Sequence, residues 1–266
     1  MTNQLFYEAI SAESGSNEGY LSDVESIIGL SRKTNVDTNI LLAYKMWGTI
    51  SFQAVFSVYL APTNQYYATD SIAFGDIDQQ YIRDVSELRW INLESGTKLW
   101  AAETTAVRFG IDELNSYSFT TSYRGVFDSL SSFIRLPASI SEYFIDKVTE
   151  NTNSYKQNGW VTVSCEDENL PSIFFLVGGY WIEASPVDYA IDISAAQDKS
   201  ICGLAISAND DDEIAFGLPI LRGYYTIFDV ENDNLAIAPN DISSKQGLED
   251  AYVPASYFIV PIPWQT

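Results

Sequence analysis

The chain has 266 residues, 46% hydrophobic and 14% aromatic, which is enough apolar surface to bury a sizeable core and rules out a disordered tail. Acidic residues number 36 against 14 basic ones, a formal charge of −22 that repels nucleic-acid phosphates and anionic lipid head groups and argues against both as partners. Histidine is absent, which removes Ser-His-Asp and Cys-His nucleophilic catalysis and every imidazole-dependent zinc site, and leaves carboxylate chemistry.

In chain order, MTNQLFYEAISAESGSNEGY has neither a basic n-region nor an apolar h-region and does not read as a signal peptide. No window reaches the roughly 18 uninterrupted apolar residues of a membrane span. Residues 36–46 place Ile40, Leu41, Tyr44 and Lys45 at turn spacing behind Asp37 and Thr38 as caps, which predicts a helix. Strand-like runs follow: SFQAVFSVYLA, SIAFGDI, ELRWINLE, LWAAETTAVRF and YRGVFDS, each rich in β-branched and aromatic residues and bounded by Gly, Asn, Asp, Ser or Pro. A second helix is predicted over residues 140–148, behind Pro137 and Ser139. Strands resume with WVTVSCE, SIFFLVGGYWIEA, YAIDIS, EIAFG, YYTIFDVENDNLAIAP and YFIVPIP. VENDNLAI is a hairpin signal, because Asn and Asp tolerate turn conformations that β-branched residues refuse. Asp210, Asp211, Asp212 and Glu213 form the one charge run, a solvated loop that blunts a strand edge. The balance is all-β, with no linker or low-complexity stretch.

Cys165 and Cys202 are too few for a structural zinc site and lack Cys-x-x-Cys spacing. One disulfide closing a surface loop, and with it an oxidising compartment, is the natural reading; two buried thiols are the alternative. With a disulfide and no signal peptide, a processed piece of a longer precursor or an expressed fragment is expected. A pI near 4.1 suits an acidic compartment and equally suits a secreted protein kept soluble by its charge. Tyr20, Trp47, Trp90, Trp100, Tyr180 and Trp181 are candidates either for lining a peptide cleft or for packing on strand faces.

The segment EIAFGLPILRGYYTIFDVENDNLAIAP resembles the closing stretch of pepsin-like aspartic proteases: an apolar-apolar-Gly strand end, a turn carrying Arg222, a Tyr-Tyr pair, a Phe-Asp hairpin and an Ala-Pro exit. Earlier segments agree in order. LPSIFFLVGGYWIEASPVDYAIDI resembles the family's Gly-bearing hairpin followed by Pro186 and Tyr189, and SIAFGDIDQQYI resembles its Phe-Gly-Gly hairpin. ELRWINLESGTKLW resembles the strand pair that comes next, and QLFYEAISAESG with VESIIGLSR the last part of the N-terminal lobe. The resemblance covers about residues 4–239 and implies a pepsin-like acid protease fold. On it, residues 1–60 are a remnant of the N-terminal lobe and inter-lobe platform, 61–240 the C-terminal lobe, and 241–266 a C-terminal extension. It also places Cys165 and Cys202 where the family has its C-lobe disulfide, and implies a secretory, vacuolar or lysosomal, or extracellular setting, with no cofactor and no metal.

GVFDSLSSFIRLP sits where the family carries its second catalytic motif. The resemblance aligns Asp128 with a catalytic aspartate, Ser129 with the hydroxyl that locks two active-site loops together, and Ser131 with the hydroxyl that hydrogen-bonds the carboxylate; Leu130 and Ser132 complete the loop. Leu130 stands where the family has Gly, and is expected to crowd the position of substrate or water. Leu218 and Pro219 follow Gly217 where the family has Asp, and Arg222 is expected to pair with a local carboxylate. The first catalytic loop and flap of the family have no counterpart in this sequence. Since two carboxylates must share one proton, Asp128 is expected to act only with a partner, a light chain or a second copy, that completes the dyad for a peptide or protein ligand. The alternative is a silent homologue that binds peptides or serves as a structural subunit. SSKQGLEDAYVPASYFIVPIPWQT runs past the family's usual end, and either adds a strand to an exposed edge or partner, or packs back on its own lobe.

Overall fold

A computed structural model of the chain describes residues 30, 32, 55–65, 67–157, 160–194, 201–252, 254 and 256–258. The helix expected over residues 36–46, together with Tyr20 and Trp47, lies outside them. The strands are β1 (Val55–Tyr59), β2 (Ser71–Phe74), β3 (Arg89–Ile91), β4 (Ala101–Phe109), β5 (Ser116–Phe127) and β6 (Ile134–Pro137). Then come β7 (Tyr155–Gln157), β8 (Trp160–Ser164), β9 (Ile173–Val177), β10 (Tyr180–Ala184), β11 (Ala190–Asp192) and β12 (Ile201–Leu204). The last six are β13 (Ile206–Asn209), β14 (Glu213–Phe216), β15 (Tyr224–Asp229), β16 (Asn234–Pro239), β17 (Glu249–Asp250) and β18 (Ser256–Phe258). Helices α1 (Ala138–Val148), α2 (Pro186–Tyr189) and α3 (Leu218–Leu221) are few and mostly short.

The result is the all-β architecture expected, arranged among the described residues as three sheets. Five strands run in the order β2-β1-β15-β16-β3, and four in the order β11-β12-β8-β7. The largest runs β13-β6-β14-β5-β4-β9-β10-β17, with β18 paired to β5 off that path. The hairpin read from VENDNLAI joins β15 to β16, and Asp233 takes the left-handed conformation it requires, with φ of 60°. Arg32, itself buried, donates to Asp233 and to the carbonyls of Glu94 and Leu99, while the Trp100 indole N–H donates to Leu30 O at 2.7 Å. These bonds tie Leu30 and Arg32 to the five-stranded sheet and to the start of β4.

Helix α1 begins two residues earlier than its sequence signal, because Pro137 holds extended backbone and frees Ala138 to start the turn. Its buried Ile140, Phe144 and Val148 recur every four residues, one stripe facing the sheet, and Phe144 stacks on Phe175 of β9 with centroids 5.7 Å apart. β9 is buried along its whole length. Ile173, Phe175 and Val177 enter the main core, while Phe174 and Leu176 face the other way and pack with Trp181 and Ala106 beneath Tyr252. An IFFLV run with no polar alternation is what a strand covered on both faces needs.

Of the charge run, Asp210, Asp211 and Asp212 are exposed as expected, whereas Glu213 accepts from Arg124 at 2.7 Å, and the same guanidinium donates to Glu94 at 2.7 Å. Cys165 and Cys202 are joined as a disulfide with Cα atoms 4.9 Å apart. Among the described residues no helix is long and apolar enough to cross a membrane.

Candidate active-site loop

The site is built by a crossover. β5 and β6 are consecutive in sequence but not neighbours: β14 lies between them, parallel to β5 and antiparallel to β6. The connection 128–133 therefore arches over the C-terminal end of β14. The Asp128 N–H donates to Phe216 O at 3.1 Å, and the Leu218 N–H donates to Ser131 O at 2.8 Å. Between them lies Gly217, whose missing side chain makes the arch possible: a Cβ there would stand 2.3 Å from Phe133 O and 2.4 Å from Ser131 O. Pro219 follows at the first turn of α3, where a missing N–H costs nothing, so the Leu-Pro departure from the family pattern starts a helix.

Asp128 is half-buried, and one carboxylate oxygen accepts the N–H of Leu130 at 3.0 Å. Among the described residues no second carboxylate bonds to it. Ser129 is exposed. The Ser131 hydroxyl, expected on the Asp128 carboxylate, instead donates to Phe133 O at 2.9 Å and accepts the Phe133 N–H, closing a local turn. Ser132 is half-buried beside it. Leu130 is 67% exposed: its isobutyl group stands on the open side of the loop and leaves the backbone bonds of the arch in place.

Beyond the loop, the Phe133 ring meets Trp160 of β8 with centroids 5.3 Å apart. The two rings head a cleft of about 540 Å³ that continues along Ile145 of α1, Leu204 and Ile206. Neither Phe133 nor Trp160 was singled out from sequence, since each reads as one more strand aromatic. Of the aromatics that were, Trp100 and Trp181 are buried and Trp90 is largely exposed on β3. Arg222 donates to Ala61 O at 2.9 Å and lies 3.3 Å from the Asp70 carboxylate.

A sequence profile described as eukaryotic aspartyl protease matches residues 1–240. The chain belongs to that family. Pepsin A of Rhinolophus ferrumequinum is 24% identical over 242 residues, covering 90% of this chain and 59% of the relative. Pepsin A of Bos taurus is likewise 24% identical, over 90% of this chain and 61% of the relative. Vacuolar protease A of Arthroderma otae is 26% identical over 89% of this chain and 56% of its own length. The chain thus spans about three fifths of these aspartyl proteases. The family match ends at residue 240, while β17 and β18 belong to the stretch beyond it.

Proposed function

We propose that this chain is the C-terminal half-site of an aspartic endopeptidase, inactive alone and active when another segment, a light chain or a second copy, supplies the second aspartate. Residues 61–240 form its C-terminal lobe, residues 1–60 a part of the N-terminal lobe and platform, and 241–266 an extension. The observation that carries the reading is Asp128, held by a crossover arch with a backbone N–H on its carboxylate and an open side facing outward. In the completed dyad the two carboxylates share one proton. The ionised one takes a proton from water as the water oxygen attacks the peptide carbonyl carbon, and the protonated one polarises the carbonyl oxygen. Ser129, Leu130, Ser131 and Ser132 shape the loop that aims Asp128. The disulfide and the relatives named vacuolar protease A support a secretory or vacuolar setting.

A second reading, a silent peptide-binding or structural homologue, is favoured by one observation: Leu130 projects at the mouth of the loop, where a peptide would approach. The test is cleavage of a denatured protein at acid pH. The purified chain should leave it intact, and adding a segment with a second Asp-Thr-Gly loop should start cleavage that Asp128→Asn abolishes. Pepstatin-sensitive cleavage by the chain alone, lost in Asp128→Asn, would refute partner dependence; no cleavage in the completed assembly, with or without Leu130→Gly, would favour the silent homologue.

A further inference from the structure

The stretch beyond residue 240 starts against α2, α3 and β15, crosses β10 and β4, and ends beside β5, and five of its residues attach it. Lys245 is 3% exposed; its ammonium donates to Ile220 O at 2.9 Å, lies 3.4 Å from the buried Asp188 carboxylate and sits over the Tyr224 ring. The next N–H, of Gln246, donates to the buried Glu183 carboxylate at 2.7 Å. Glu249 accepts from Arg108 at 2.9 Å, and Tyr252 covers Trp181 with centroids 5.3 Å apart. Phe258 then enters a cluster with Phe109, Phe119 and Tyr143.

Arg108 is the most telling of these contacts. Its guanidinium is 1% exposed at the level of the residue, lies 4.1 Å from the Phe174 centroid and 5.1 Å from that of Trp181, and has two nitrogens without a hydrogen-bond partner among the described residues. A buried cation is tolerable only when paired. The pairing oxygens, Glu249 Oε2 and the Tyr252 hydroxyl, both come from the extension. Burial pulls the Arg108 pKa down, and its bonds to Glu249 and Tyr252 more than reverse this. At the other end burial pushes the Lys245 ammonium down, and Asp188 and Glu183 oppose that shift. The extension also closes two sheet edges: β17 pairs with the outer edge of β10, and β18 lies parallel to the first half of β5, which β14 does not reach.

We infer that the surface running from α2, α3 and β15 across β10 to β4 is a charge-keyed peptide groove that takes an extended segment of pattern Lys-x3-Glu-x2-Tyr, filled in cis by Lys245, Glu249 and Tyr252. Acid and base alternate between receptor and segment: Asp188 receives the lysine while Glu183 takes the N–H that follows it, Arg108 receives the glutamate, and Trp181 the tyrosine. Such alternation fixes both register and direction, because a reversed segment would set like charges together. The groove is distinct from the Asp128 loop and does not depend on its chemistry.

The test keeps the full chain. A six-residue site for a sequence-specific protease is inserted between Asp241 and Ile242, which are exposed, and the folded protein is cut there. The C-terminal piece should stay bound through gel filtration and exchange slowly with a fluorescent peptide of residues 242–266. Glu249→Gln or Tyr252→Ala should speed its release at least about tenfold, as expected when a buried guanidinium or an aromatic anchor loses a partner. In the uncut chain, the same substitutions should raise amide exchange at Tyr180 and Trp181. Immediate loss of the cut piece, release rates insensitive to all these variants together with Lys245→Met, or unfolding on cutting would overturn the groove. Dimers formed by mutual exchange would place the occupant in a second copy and overturn the cis assignment.

Discussion

Replacing Gly217 with alanine adds one carbon where two backbone carbonyl oxygens already stand, at 2.3 Å and 2.4 Å from the new Cβ. Ordinary carbon–oxygen contacts are near 3.4 Å, so each oxygen would have to retreat by about 1 Å, and neither belongs to a flexible side chain. Ser131 O is also the acceptor of the Leu218 N–H at 2.8 Å, so relieving the clash weakens that bond. Overpacking costs roughly 1–3 kcal/mol and a lost hydrogen bond about 1 kcal/mol, giving about 2–4 kcal/mol in total. For a domain of this size each kcal/mol moves Tm by roughly 2–4 °C, so a fall of about 5–15 °C is expected in calorimetry. Gly110→Ala is the control: its φ is +79° but nothing lies within 4 Å of the added carbon, so it should cost only about 1 kcal/mol of backbone strain. A Gly217→Ala protein that melts within about 1 °C of the parent, or no lower than Gly110→Ala, would show that the arch is not wedged against β14.

Two further outcomes are expected. Cys165 and Cys202 are 37 residues apart, and removing that cross-link by a double alanine substitution should lower unfolding free energy by about 4 kcal/mol in the chain-entropy account, measured by urea titration; a loss below about 1 kcal/mol would contradict it. Burial, with Asp241 assisting, pushes the Tyr59 hydroxyl up to about 12, and burial alone raises Tyr189, while Tyr224 is raised by burial first and then by Glu183 and Asp188. Their folded pKa values exceed the unfolded ones, so the associated stability is complete below about pH 10 and drains away as pH climbs through the folded values. Ultraviolet titration should find these three of the 17 tyrosines silent until the fold collapses, whereas smooth ionisation of all of them around pH 10 with the fold intact would refute their burial.

Several elements were legible because their signal is local. The long β-branched and aromatic runs became strands, residues 140–148 fell within α1, and the turn of VENDNLAI found its left-handed residue at Asp233. β6, β7, β12, β13 and β17 carry no such local signal, being two to four residues long without the aromatic-and-glycine pattern that marks β2 and β14, and α2 and α3 are single turns with no period at all. Asp128 was marked by its motif, but the platform under it was not: Phe216 and Gly217 lie almost 90 positions downstream and reach the loop only because β14 threads between β5 and β6.

By itself the sequence determined the β-rich composition and the place of Asp128 in a loop, because residue type and near-neighbour spacing decide these. The tertiary structure alone decided that Leu130 faces outward, that the Ser131 hydroxyl serves Phe133, and that Lys245 and Glu249 bury or pair charges with residues far away in the chain. A side chain's environment is made of partners far away in the chain, and no local pattern encodes which of two sheet faces a distant segment will cover.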